Sequence, residues 1–149
     1  MKRKRTLSIL VVENHQDTLE AMKMFLDLNG HCVHAAGTMR AALDAAATNS
    51  FDLIITDIGL PDGDGWELMR QLRERGPVRA VAMSGYGWKE DLEKSRAAGF
   101  EAHLLKPLKV ADLEALLRKI EQETSPGPGA QPKRTKSRAP RSKAELATR

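Results

Sequence analysis

The feature that most constrains this chain is an alternation, repeated five times, between a short apolar run and a segment with helical spacing. Ser8-Ile9-Leu10-Val11-Val12 is the first run, and Leu19, Met22, Phe25 and Leu26 then recur at helical spacing until Asn29-Gly30. Residues 32–35 predict a weaker strand. Thr38 is placed to cap an Ala-rich helix with Ala42, Leu43 and Ala46 on one face. Residues 51–56 form the third run, followed by a helix through Leu68, Met69 and Leu72 that stops near Gly76-Pro77. Residues 80–83 predict a strand, 89–98 a helix ending at Gly99, and 102–105 a short fifth strand. Val110, Leu113, Leu116, Leu117 and Ile120 mark a last amphipathic helix. Strands alternating with helices predict an α/β fold: a doubly wound, five-stranded parallel sheet with five helices on its two faces. The unbroken apolar character of 9–12 and 53–55 suits central strands buried on both sides.

The 149 residues suffice for one domain with a core, and 41% hydrophobic with 30% charged residues is the balance of a soluble globular chain. No apolar run approaches the roughly 18 residues a membrane helix needs. The basic start, Met1 to Arg5, leads into a short apolar stretch that soon meets Glu13, which is not the pattern of a signal peptide. The only cysteine is Cys32, so neither an intrachain disulfide nor a cysteine metal cluster is available. These features imply a cytoplasmic protein without a membrane partner.

The net charge of +4 conceals a split. Residues 125–149 carry seven basic residues against Glu145, a net of +6, which leaves residues 1–124 at −2 and residues 6–124 at −6. Pro126-Gly127-Pro128-Gly129 cannot continue a helix, and 131–143 is rich in Lys, Arg, Pro and Ser with little to bury. The chain therefore reads as a basic extension over 1–6, a folded domain over 7–123 and a disordered basic tail over 124–149. The tail has no aromatic residue for base stacking, which speaks against nucleic-acid binding through it.

In open α/β sheets the site lies beyond the carboxyl ends of the strands. Those ends carry Glu13 and Asn14 on the first strand, Asp57 on the third, Ser84 on the fourth and Lys106, followed by Pro107, on the fifth. This set suits phosphoryl transfer to a carboxylate. Asp57 would be the nucleophile and form an acyl phosphate. Like-charge repulsion between carboxylate and phosphoryl group calls for a divalent cation, normally Mg²⁺. Glu13, Asp57, the Asn14 amide oxygen and the Gly59 carbonyl are its expected ligands. Lys106 would place a point charge on phosphate oxygens, and Ser84 would hydrogen-bond the new phosphate.

"ILVVENH", "LIITDIGLPDGDG", "AMSGYG" and "LLKPL" resemble, in order and spacing, the landmarks of the two-component response-regulator receiver domain, from about Leu7 to Ile120. The resemblance implies a flavodoxin-like sheet of order 2-1-3-4-5. It implies a histidine kinase or phosphotransfer protein as donor to Asp57, and a cis bond between Lys106 and Pro107. It also implies a downstream protein target on the face formed by the fourth helix, fifth strand and fifth helix, in a signalling domain rather than an enzyme.

Two positions depart from the pattern. The family commonly has two adjacent acids after the first strand; here they are Glu13-Asn14, so weaker Mg²⁺ binding is expected. The switch position that is often Tyr or Phe is His103, paired in role with Ser84. Asn14 also motivates the alternative of a pseudo-receiver, an interaction module that works without phosphorylation.

Other polar residues have plainer readings. Asp62 and Asp64 lack the remaining ligands of a calcium loop and read as turn and helix-start residues. "MSGYG" is not a nucleophile elbow, since Ala82 holds the first glycine position. Cys32 reads as a small core residue, His15, His31 and His34 as surface or loop residues, and Trp66 and Trp88 as partly exposed.

Overall fold

The computed structural model describes residues 6–85 and 89–124. The chain divides into two units, Met1–Leu117 and Arg118–Arg149. Of the second, only the end of the last helix is described. The expected basic extension, except Thr6, and the tail beyond Thr124 lie outside the described residues, as does Trp88.

The elements are β1 (Ser8–Val12), α1 (Gln16–Leu28), β2 (Cys32–Ala36), α2 (Met39–Thr48), β3 (Leu53–Asp57), β4 (Gly59–Leu60), β5 (Gly63–Asp64), α3 (Gly65–Glu74), β6 (Ala80–Ser84), α4 (Lys89–Ala98), β7 (Ala102–Leu105) and α5 (Val110–Thr124). The main sheet is parallel with order β2-β1-β3-β6-β7, which is 2-1-3-4-5 when its own strands are counted. The predicted α/β architecture is therefore present. The one addition is the antiparallel β4–β5 pair inside the loop after β3.

The central strands explain their own placement. Every residue of β3 and β6 is buried, and so are residues 9–12 of β1. Successive side chains point to opposite faces. Leu10, Val12, Ile54, Ala80 and Ala82 join one core cluster with Ala42 and Leu43 of α2 and Leu68, Met69 and Leu72 of α3. Ile9, Val11, Leu53, Ile55, Val81 and Met83 face the other way. Leu19, Met22 and Leu26 of α1 and Leu113, Leu116 and Leu117 of α5 are buried too. Burying a Leu or Ile contributes about 1.5–3 kcal/mol, against about 0–1 kcal/mol for exposed pairs such as Lys23–Asp27. The two apolar layers, not the surface ion pairs, hold the fold.

Helix starts follow the sequence. The Thr38 side chain accepts from the Ala41 N–H at 3.0 Å, and Asp64 accepts from the Glu67 N–H at 2.7 Å. Asp62 does more than make a turn. Its carboxylate accepts from the Met39 and Arg40 N–H groups at 2.7 and 2.9 Å, tying the β3–α3 loop to the start of α2. Those two bonds hold its carboxyl below the usual range.

One sequence reading is corrected and another is refined. Cys32 is exposed, because it opens β2, an edge strand whose residues lie mostly at the surface. His31 lies in the loop before β2, as read, but is buried there, and its Nδ1 accepts from the Leu7 N–H at 3.0 Å. A backbone donor before β1 needs an acceptor there, and the imidazole supplies it.

Candidate functional site

Three strand ends build the site. The Glu13 N–H donates to the Ala36 carbonyl at 2.9 Å, which carries the β1–β2 ladder one residue past β1. Asp57 is the last residue of β3, and the next N–H, of Ile58, donates to the Met83 carbonyl at 2.9 Å. The Lys106 N–H donates to the Ser84 carbonyl at 2.9 Å, one residue past β7. Backbone ladders thus hold all three residues at one edge of the sheet. The Lys106–Pro107 peptide is cis, as the resemblance implies.

At that edge the Lys106 ammonium donates to both acids. It reaches Asp57 Oδ2 at 2.8 Å and Glu13 Oε1 in a very short contact. Glu13 is fully buried and Asp57 nearly so. Burial pushes the Glu13 carboxyl up, but the Lys106 hydrogen bond, the His15 N–H on Oε2 at 3.0 Å and the Lys106 charge outweigh it, so it sits below its ordinary value. Burial pushes the Lys106 ammonium down, but its bonds to Asp57 and Glu13 prevail and hold it above its ordinary value. The site is therefore a locked, charged triad of two carboxylates and one ammonium.

The loop after β3 turns back tightly against Asp57 and Ile58. The Gly65 N–H donates to the Ile58 carbonyl at 2.7 Å, and a Cβ at position 65 would lie 2.7 Å from the Asp57 carbonyl oxygen. Only glycine permits that approach. The Gly59 N–H donates to Asp57 Oδ1 at 3.3 Å.

Ser84 ends β6, one residue after Met83, which pairs across from Asp57. Its Oγ is 2.8 Å from His103 Nε2. Asn14 is exposed beside Glu13. Of the expected residues, then, Glu13, Asp57 and Lys106 meet directly, and Ser84 and His103 form a linked pair. Ser95 was not singled out from the sequence, yet its Oγ lies 3.2 Å from His103 Nδ1 and accepts from Trp66 Nε1–H at 3.1 Å. The signal available was the one uncharged polar residue on a helix rich in charge; Ser95 is the buried residue of α4.

Mg²⁺ takes oxygen ligands, often only one or two carboxylates with several waters. Two carboxylates drawn onto one ammonium, with the Gly59 carbonyl and the Asn14 amide nearby in the chain, fit such an ion. Among the described residues no group of three or more His, Cys, Asp or Glu side chains is placed to hold a metal, so the third acid is lacking. Alongside Lys106 runs an apolar cleft of about 700 Å³ between α1 and the start of α5, lined by Ala21, Met22, Phe25, Pro107 and Leu113 among others.

The profile of the response regulator receiver domain matches residues 9–118. The chain belongs to this family. It is 37% identical over 111 residues to the KDP operon transcriptional regulatory protein KdpE of Escherichia coli, covering 74% of this chain and 49% of that protein. It is 32% identical over 117 residues to the sensor protein EvgS of Escherichia coli, covering 78% of this chain but 10% of that protein. The chain spans about half the length of KdpE and of the response regulator MprA, both of which it matches. Among solved structures, a two-component response regulator from Clostridium difficile superposes with a TM-score of 0.77 at 27% identity, covering 81% of this chain and 99% of that one. A receiver domain from Methylobacillus flagellatus gives 0.71 at 33% identity, covering 78% and 100%. This is a receiver domain of two-component signalling, and no helix among its described residues is long and apolar enough to cross a membrane.

Proposed function

We propose that Asp57 is the phosphoacceptor of this receiver, taking a phosphoryl group from a histidine kinase or phosphotransfer protein. The observation that carries this reading is the Lys106 ammonium bridging the Asp57 and Glu13 carboxylates at the end of the sheet. Asp57 Oδ attacks phosphorus, the bond to the donor breaks, and an acyl phosphate forms. Lys106 is already within reach of Asp57 Oδ2 and follows the charge onto a phosphoryl oxygen. Ser84 donates its hydroxyl to another. Glu13, Asp57, Asn14 and the Gly59 carbonyl would hold Mg²⁺, which offsets the repulsion between carboxylate and phosphoryl group when bound. The apolar cleft beside Lys106 offers the donor a surface.

Output passes through binding to a protein target on the α4–β7–α5 face. Each of its elements exposes a large apolar side chain, Leu92, Leu105 and Val110 respectively. Such residues are what a partner would cover. The pseudo-receiver reading keeps one supporting observation, the missing third acid at position 14.

Intact mass after incubation with acetyl phosphate and Mg²⁺ tests the proposal. A phosphate-sized gain that requires Mg²⁺ and vanishes in Asp57→Ala supports it. No gain in a folded protein favours the pseudo-receiver.

A further inference from the structure

Four side chains form one polar line from α3 to the end of β6. Trp66 Nε1 is 3.1 Å from Ser95 Oγ, Ser95 Oγ is 3.2 Å from His103 Nδ1, and His103 Nε2 is 2.8 Å from Ser84 Oγ. The chemistry of its far end fixes its direction. An indole N–H can only donate, so Ser95 Oγ accepts from Trp66. Ser95 is 2% exposed, and its own hydrogen needs an acceptor, because an unpaired buried hydroxyl is costly. Trp66 cannot accept it, and among the described residues the other group bonded to Ser95 Oγ is His103 Nδ1. Ser95 therefore donates to Nδ1, and neutral His103 carries its hydrogen on Nε2. That hydrogen points to Ser84 Oγ, which accepts it. Ser84 is left with its hydroxyl hydrogen for an acceptor other than His103.

We infer that Trp66 and Ser95 are positioning residues for Ser84, acting through the tautomer of His103, so that the switch hydroxyl meets a phosphoryl group on Asp57 as a donor. The inference rests on the phosphoacceptor reading above for its purpose, but not for its geometry. With the opposite tautomer, Ser84 would give its hydrogen to His103 and would face that ring as a donor instead. The relay also joins the site to the outer side of α3 and α4, where the Lys94 ammonium lies 4.5 Å over the Trp66 ring. A change at Ser84 is thus felt at Trp66.

Imidazole ¹⁵N NMR on the full, unphosphorylated chain tests this, at a pH where the rings are neutral and with the His103 signals assigned by a His103→Gln variant. The expected result is an Nε2–H ring at His103. Ser95→Ala and Trp66→Phe should each shift it toward a mixture, while Ser95→Thr, which keeps the hydroxyl, should hold it. An Nδ1–H ring in the unmodified chain overturns the relay. Phosphorylation by acetyl phosphate should slow about 3- to 10-fold in Ser95→Ala, the effect of one lost hydrogen bond, and recover in Ser95→Thr. Equal rates in Ser95→Ala and the parent overturn the positioning role. If the parent itself gains no phosphate, the phosphoacceptor reading fails, and the NMR result still decides the direction of the relay.

Discussion

Replacing Lys106 by Met removes the cation between two buried carboxylates and keeps most of the side-chain volume. In the intact protein the ammonium donates to Asp57 and Glu13, and the Glu13 side chain is 0% exposed while that of Lys106 is 23% exposed. Removing one partner of a buried pair costs about 3–5 kcal/mol. Solvent reaches Lys106, which screens part of this, so about 2–3 kcal/mol is the expected loss at neutral pH. In urea that moves the unfolding midpoint down by roughly 1–2 M for a domain of this size. Two further signatures follow from the cause. The deficit should shrink as pH is lowered, because one carboxyl can then take a proton and end the repulsion. Mg²⁺ should restore part of the stability, since a cation replaces a cation. Circular dichroism in a urea series, with and without Mg²⁺, reads all three. A Lys106→Met midpoint equal to that of the parent at neutral pH would refute the locked triad.

Three other outcomes are expected. Asn14→Asp adds the missing charge next to Glu13 and should tighten Mg²⁺ by about tenfold in calorimetric titration, the effect of roughly 1.4 kcal/mol; unchanged affinity would count against the metal ligands assigned above. Gly65→Ala puts a Cβ 2.7 Å from the Asp57 carbonyl oxygen and should cost about 1–3 kcal/mol by thermal unfolding, whereas an unchanged Tm would mean the loop can yield. The triad also predicts a pH profile. Glu13 lies below its ordinary 4.5, so its contribution is full above that value and is lost as pH falls through the lower folded value. Lys106 lies above its ordinary 10.5, so its contribution is full below that value and is lost as pH rises through the higher folded one; a flat profile at both ends would contradict this.

Much of this was legible in the residues because the physics is local. The runs at 9–12 and 53–55 are apolar without alternation, which suits a strand covered on both faces. Once those strands are parallel, their carboxyl ends converge, and Glu13, Asp57, Ser84 and Lys106 follow. Thr38 and Asp64 could be read as caps because capping acts over three residues. What escaped were contacts made across the sequence. Asp62 caps a helix 22 residues earlier, His31 satisfies a donor 24 residues away, and Ser95 meets Trp66 from 29 residues on. Cys32 was misplaced because its strand is an edge strand, a fact of the sheet order and not of its neighbours in sequence.

The most direct test of the central claim is to locate the phosphoryl group. The full chain is treated with acetyl phosphate and Mg²⁺, reduced with borohydride, which converts an aspartyl phosphate to homoserine, and mapped by peptide mass spectrometry. The account predicts homoserine at position 57 and nowhere else. Homoserine at Asp62 or Asp64, or none in a protein shown to be folded, would contradict it.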